Sequence, residues 1–178
     1  KAIIIKGFNE PCISNGDSIE IESFKIVQLE LTKESMISNI QRVECVDTNI
    51  LVQTNIKLLC FNSDGKYLYP IGTKGKGPGE YISINSFVID NNNVLIIDEY
   101  QRKIITYSLL GKLISEKKFE RNDLPNWTKN GIFIDDEHIL FTHYIYNTIN
   151  TVYSIYNVNN NNKEELYKFP VRTYNTAE

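Results

Sequence analysis

The chain has 178 residues, 42% of them hydrophobic, which is enough apolar side chain to bury a core in a single domain. Its 19 basic and 22 acidic residues give a formal net charge of −3, which disfavours the strongly cationic surface of most nucleic-acid-binding proteins. No apolar run reaches the roughly 18 residues of a membrane-spanning helix. We therefore expect a globular protein with no nucleic-acid partner and no transmembrane segment.

The cysteines and histidines predict neither a disulfide framework nor a metal site. Cys12, Cys45 and Cys60 are odd in number and show no CxxC spacing. His138 and His143 lie in one apolar run at an odd offset, so an alternating strand directs them to opposite faces. We expect no metal and no cofactor.

The first segment, residues 1–38, precedes any repeating pattern. Residues 18–31 carry apolar side chains in a largely alternating pattern, which predicts one or two strands outside the main repeats. Because the first residue is Lys1 and not methionine, we expect a processed chain, and an export signal or a lipid anchor ahead of it stays open.

Three similar apolar runs follow at a period of about 44 residues, beginning at Ile50, Val94 and Ile139. Each run is preceded by one β-rich run and followed by two more, with polar turns such as Asp64-Gly65 between them. Four short antiparallel strands per period are typical of propeller blades. We expect an all-β partial β-propeller: three four-stranded blades, at about residues 39–81, 82–127 and 128–172, and an extra N-terminal strand.

A glycine-rich stretch, residues 71–81, separates the first two repeats. Its four glycines and one proline suit a connection with positive φ values, and suit neither a helix nor a paired strand. It lacks the GxxxxGK[ST] pattern and precedes a strand, so a phosphate-binding loop is not expected. We predict a structural crossover between blades, formed by Gly72, Gly75, Gly77, Pro78, Gly79, Glu80 and Tyr81.

Residues 72–113 resemble one unit of the NHL-repeat propeller family. The run from Gly77 to Tyr81 is similar to the glycine-rich entry of that repeat, and its strands resemble residues 87–90, 94–98 and 102–107. The likeness is weaker in the other two repeats; the third has residues 123–127 where the glycine-rich entry would stand. The resemblance is to six-bladed propellers of bacterial envelope proteins. It implies a six-bladed ring and an exported protein, in the periplasm or at the cell surface.

The candidate binding residues lie in connections that open on one face of a propeller, namely those between blades and those after each second strand. Aromatic rings beside charged groups suit a peptide, a protein or a glycan. The candidates are Lys74, Lys76, Glu99, Tyr100, Arg102, Trp127, His143 and Tyr144.

We expect a non-catalytic binding or scaffolding module, and two other functions stay open. The first is a fragment of a propeller enzyme, a lyase or hydrolase, that shares its active site with further blades. In such an enzyme the pair Asp98-Glu99 would supply the carboxylates of a general acid and base, although strand-end carboxylates usually cap turns. The second is a structural role in which exposed blade ends drive self-association. We assign no catalytic residue.

Overall fold

The structure is a computed structural model that describes residues 3–5, 25–90, 92–119, 128–143 and 151–168. In these residues the regular structure consists of β-strands, and none of them forms a helix long and apolar enough to cross a membrane. The chain divides into two compact units. The first contains Lys1–Thr54 and Leu58–Pro70, and the second contains Asn55–Lys57 and Ile71–Glu178.

The first unit contains a two-stranded sheet and a four-stranded sheet that we call blade 1. In the smaller sheet, β1 (Ile3–Ile5) pairs antiparallel with β2 (Ile26–Gln28), so the predicted extra N-terminal strand is present. Blade 1 is an antiparallel sheet whose strands are adjacent in sequence order. They are β3 (Arg42–Val46), β4 (Asn49–Gln53), β5 (Leu58–Asn62) and β6 (Tyr67–Pro70).

The hairpin between β5 and β6 forms at the predicted Asp64-Gly65 turn. Gly65 takes a φ of +84°, and its N–H donates to the carbonyl oxygen of Asn62 at 2.9 Å. The Asn62 side chain accepts from the N–H groups of Asp64 and Lys66 at 3.0 and 2.9 Å. Apolar residues of β2 and its continuation pack on blade 1 in a cluster of Val27, Leu29, Ile50, Val52, Leu59 and Phe61.

The second unit contains two further four-stranded antiparallel sheets, blade 2 and blade 3, again with strands adjacent in sequence order. The prediction of four strands in each of these two repeats is confirmed. Blade 2 consists of β9 (Ser86–Asp90), β10 (Asn93–Asp98), β11 (Lys103–Ser108) and β12 (Leu113–Lys118). Blade 3 consists of β13 (Thr128–Phe133), β14 (His138–His143), β15 (Thr151–Asn157) and β16 (Lys163–Lys168).

Blades 2 and 3 pack face to face through one apolar cluster. The cluster contains Val88, Leu95, Ile97 and Ile104 of blade 2, Phe119 directly after β12, and Ile139, Phe141 and Tyr156 of blade 3. Burial alternates along β14, because successive side chains of a strand point to opposite faces. Gly131 of β13 lies where the two blades meet: a Cβ there would stand 2.6 Å from Phe141 and 2.8 Å from Val88.

One prediction for the glycine-rich stretch is wrong, because the stretch contains a paired strand. β7 (Thr73–Lys74) and β8 (Glu80–Tyr81) form a two-residue parallel ladder. The N–H of Gly75 donates to the carbonyl oxygen of Tyr81 at 2.9 Å. The glycines let the chain leave and return beside itself within a few residues, so the stretch becomes a closed loop. We call residues 71–81 the crossover loop.

Candidate functional site

The crossover loop lies against the turn between β10 and β11, residues 99–102, which we call the β10–β11 turn. The side-chain amide nitrogen of Gln101 donates to the carbonyl oxygens of Gly75 and Glu80, both at 3.1 Å. The ammonium group of Lys103 donates to the carbonyl oxygens of Gly77 and Glu80, at 3.0 and 3.3 Å. These bonds join two connections that are distant in sequence into one structural element.

Three carboxylates accept hydrogen bonds from N–H groups of this element or of Ile82 directly after it. Glu80 accepts from the N–H of Gly77 at 2.8 Å, and Glu116 accepts from the N–H of Gly79 at 2.7 Å. Asp98 is fully buried; one of its oxygens accepts from the N–H of Ile82 at 2.6 Å, and the other from the N–H of Gln101 at 3.1 Å. The loop donors are therefore occupied internally, and none of these N–H groups is available to cradle a phosphate.

An ion pair between a buried lysine and a partly exposed glutamate lies beneath the loop. Lys103 is 4% exposed, and its ammonium group stands 3.2 Å from a carboxylate oxygen of Glu116. Partial burial of Glu116 opposes its ionisation, but the N–H of Gly79 and the charge of Lys103 outweigh that cost, so the pKa of Glu116 lies below its ordinary value. Glu116 is therefore ionised at neutral pH, and the hydrogen bonds of the pair tie β11 and β12 to the loop.

Two buried tyrosines hold the loop from below. The hydroxyl of Tyr81 donates to the carbonyl oxygen of Ile71 at 3.0 Å, and the hydroxyl of Tyr107 donates to that of Gly79. Burial raises the pKa of Tyr107, so its hydroxyl stays protonated and remains a donor. Gly79 takes a φ of +65°, and a Cβ on it would meet Leu113 at 2.6 Å, so this position requires glycine.

We call the crossover loop, the β10–β11 turn and the buried groups that hold them the base. Four of the candidate binding residues are exposed on this base. Lys74 and Lys76 lie on the crossover loop, and Tyr100 and Arg102 lie on the β10–β11 turn. Tyr100 is 78% exposed. Among the described residues, no ion pair involves any of the three cations. We call Lys74, Lys76, Tyr100 and Arg102 the exposed rim.

The other candidates occupy different environments. Glu99 is half-buried, and its backbone N–H donates to the side-chain oxygen of Asn85 at 3.0 Å. His143 is buried in β14, outside any loop. Trp127 and Tyr144 lie outside the described residues.

The Nε2 atom of His143 lies 2.8 Å from the hydroxyl of Ser154. Its Nδ1 atom is buried and has no hydrogen-bond partner among the described residues. Burial, aided by the charge of Lys163 and opposed by Glu165, lowers the pKa of His143 to about 4. The imidazole is therefore neutral at pH 7. It also lacks the second bond that orients the ring in a serine–histidine nucleophile pair.

Sequence reasoning missed three residues that hold the loop: Lys103, Tyr107 and Glu116. One signal was available, because Lys103 and Tyr107 share an alternating face of β11 with the buried Ile105. A lysine in line with core residues indicates a buried ammonium group with partners. In the described part of the chain, no group of three or more His, Cys, Asp or Glu side chains is arranged to hold a metal ion.

Solved structures similar to this chain show the fold. A candidate exported protein from Bacteroides fragilis matches with a TM-score of 0.67 and 23% identity, over 81% of this chain and 42% of that chain. The extracellular domain of a candidate hybrid two-component system from B. thetaiotaomicron matches at 0.55 and 18% identity, over 83% and 18%. The Pan2 WD40 domain of Neurospora crassa matches at 0.51 and 8% identity, over 72% and 36%.

These similarities confirm the predicted fold class, an all-β partial propeller, since WD40 domains are propellers. The chain spans less than half the length of each of these three structures. The NHL-repeat assignment and the six-bladed ring stay predictions. No curated protein matches the chain. The model of the family described as a domain of unknown function, DUF4934, matches residues 11–177, and the chain therefore belongs to that family.

Proposed function

We propose that this chain is a non-catalytic binding module that recognises a peptide, a protein or a glycan through the exposed rim. The observation that carries the proposal is the contrast between the rim and its base. The base is fixed by buried groups such as Asp98, Lys103 and Tyr107. The rim side chains extend from that base without ion-pair partners among the described residues. A rigid base lowers the entropy lost on binding, because the backbone positions of the binding groups are already set.

The proposal includes an exported protein that forms part of a larger ring of six blades. The similar structures include an exported-protein candidate and an extracellular domain, which supports export. One face of blade 3 exposes Ile132, Ile134 and Tyr153, at 63%, 51% and 42%. An apolar sheet face of this kind is normally covered by a neighbouring blade.

The isolated chain should self-associate through this blade 3 face. Light scattering on Ile132→Lys/Ile134→Lys should show less association than on the unaltered chain. Equal association would exclude this face as the contact.

The binding proposal is tested with arrays of immobilised peptides, proteins and glycans. Ligands that bind the unaltered chain are compared with Tyr100→Ala, with Lys74→Gln/Lys76→Gln, and with Lys112→Gln as a matched control. Lys112 is exposed in the hairpin at the other end of blade 2. The rim variants should lose binding and the control should retain it. Ligands that bind all variants equally would refute the rim as the binding surface.

A further inference from the structure

We propose that the ligand of the exposed rim is an acidic polysaccharide whose sugar units carry carboxylates, that is, a uronic-acid glycan. This inference rests on the proposed binding function and narrows its ligand.

The charged side chains of the site point in two directions: three carboxylates turn inward and three cations face outward. The carboxylates of Glu80, Asp98 and Glu116 turn inward and accept hydrogen bonds from the crossover loop or the β10–β11 turn. The side chains of Lys74, Lys76 and Arg102 are exposed. The nearby Glu99 is half-buried, whereas the three cationic side chains are exposed. A chain with a net charge of −3 therefore presents a locally cationic surface here, which favours an anionic ligand.

One hydrogen bond sets the spacing of the rim. The Gln101 side chain donates to the carbonyl oxygen of Gly75 at 3.1 Å. Gln101 stands between Tyr100 and Arg102, and Gly75 stands between Lys74 and Lys76. The four rim residues are thus the immediate neighbours of the two bonded residues. Consecutive Cα atoms are about 3.8 Å apart, so the rim is compact and matches a few sugar units.

The residue types favour a sugar over a peptide. Peptides that add to a strand bind through free backbone donors, but the N–H groups of Gly75, Gly77 and Gly79 are already bonded within the structure. Recognition is left to side chains. An exposed tyrosine ring offers a flat apolar face to the C–H groups of a sugar ring, and Lys and Arg bind carboxylates by charge-assisted hydrogen bonds.

The test measures binding of the 178-residue chain to polygalacturonate by calorimetry, with its fully methyl-esterified form as the matched neutral probe. The acidic form should bind, more weakly at high salt, and the ester should bind at least tenfold more weakly. Replacing one cation with glutamine should weaken binding about threefold, and replacing all three about tenfold or more. Tyr100→Ala should weaken it about fivefold. Lys112→Gln should leave it unchanged.

The outcomes separate this inference from the proposed function. Equal binding of the acidic and esterified forms would overturn the charge argument. Tighter binding of poly-L-glutamate than of polygalacturonate would assign the rim to an acidic peptide instead. If polygalacturonate does not bind while an array ligand binds through the rim, the inference fails and the binding function stands. If rim variants affect no ligand, both fail.

Discussion

Two polar connections of the second unit, the crossover loop and the asparagine-rich turn at residues 157–162, are stabilised in different ways. In the turn, the side chain of Asn157 accepts from the N–H groups of Asn159 and Asn160, and Asn160 accepts from the N–H of Asn162. Asn161 takes a positive φ of 62°, which asparagine tolerates. Bonds from distant residues also reach the turn: Lys117 donates to the carbonyl oxygens of Val158 and Asn159, and Glu137 accepts from the N–H of Val158 and from the side chain of Asn157.

In the crossover loop the decisive partners are distant in the chain. Glu116 accepts from Gly79 across 37 residues, and Gln101 and Lys103 donate to the loop across 21 to 26. The loop shape therefore depends on blade 2 being folded, whereas the asparagine turn also has several side-chain hydrogen bonds within its own six residues. A binding surface on the crossover loop inherits the rigidity of the sheet beneath it. Substitutions in the two regions should differ in size accordingly.

The largest expected effect comes from Gly79→Val, which should destabilise the chain by about 4 kcal/mol. A β-branched residue is strained at a φ of +65°, and its Cβ would stand 2.6 Å from Leu113. Urea unfolding measures the loss, with Lys76→Val as the control for a β-branched residue at an exposed loop position. We expect folding to be lost before binding. A stable Gly79→Val chain with selectively impaired binding would reverse that order.

Lys103→Met should cost about 3 kcal/mol, because it leaves Glu116 without its ion-pair partner and removes the ammonium donor to the carbonyl oxygen of Gly77. The exposed Lys112→Met serves as the control and should stay within about 0.5 kcal/mol of the unaltered chain. Adding Glu116→Gln to Lys103→Met should cost less than the sum of the two single changes, because the pair is coupled. Strict additivity in urea unfolding would argue against the coupling.

Stability should also depend on pH through His143, whose pKa is about 4 in the folded chain against an ordinary 6.5. The unfolded chain binds the proton more readily, so stability falls as the pH drops from about 6.5 to about 4, by on the order of 3 kcal/mol. Glu116, whose pKa is lowered in the folded chain, adds a further loss of stability only below pH 4.5, the ordinary pKa of a glutamate.

Unfolding curves of the unaltered chain and of His143→Phe across pH 7 to 4 test this dependence. Between pH 6.5 and about 5 the variant should lose less stability than the unaltered chain, because it lacks the His143 imidazole. If both chains lose the same stability in that window, the dependence arises elsewhere.

The smallest effect is expected in the asparagine turn. Asn157→Ala removes an acceptor of two backbone N–H groups and an exposed donor to Glu137, and should cost about 1 kcal/mol in urea unfolding. Asn162→Ala is the control, because Asn162 accepts from the N–H of Asn157 with its backbone oxygen and that bond survives. A loss as large as that of Lys103→Met would contradict the contrast between local and distant stabilisation.

Much of the fold was predictable because blades repeat and strands alternate. The runs beginning at Ile50, Val94 and Ile139 correspond to β4, β10 and β14, and the Asp64-Gly65 hairpin forms as predicted. The parallel pairing of β7 with β8 was not predictable, since two-residue strands leave no periodic signal. The sequence predicts His143 in a loop because its apolar run ends there, but His143 is the last residue of β14 and is buried.

The sequence by itself determined the strand spacing, the need for glycine at positions such as Gly79, and the presence of cationic and aromatic residues in the connections. These properties depend on neighbours within a few residues, through alternation and φ preference. Only the tertiary structure decided which charges turn inward and which stay exposed. Glu116 and Lys103 reach the loop because the register of β11 and β12 places them beneath it. That register arises from packing across the sheet, which no local pattern encodes.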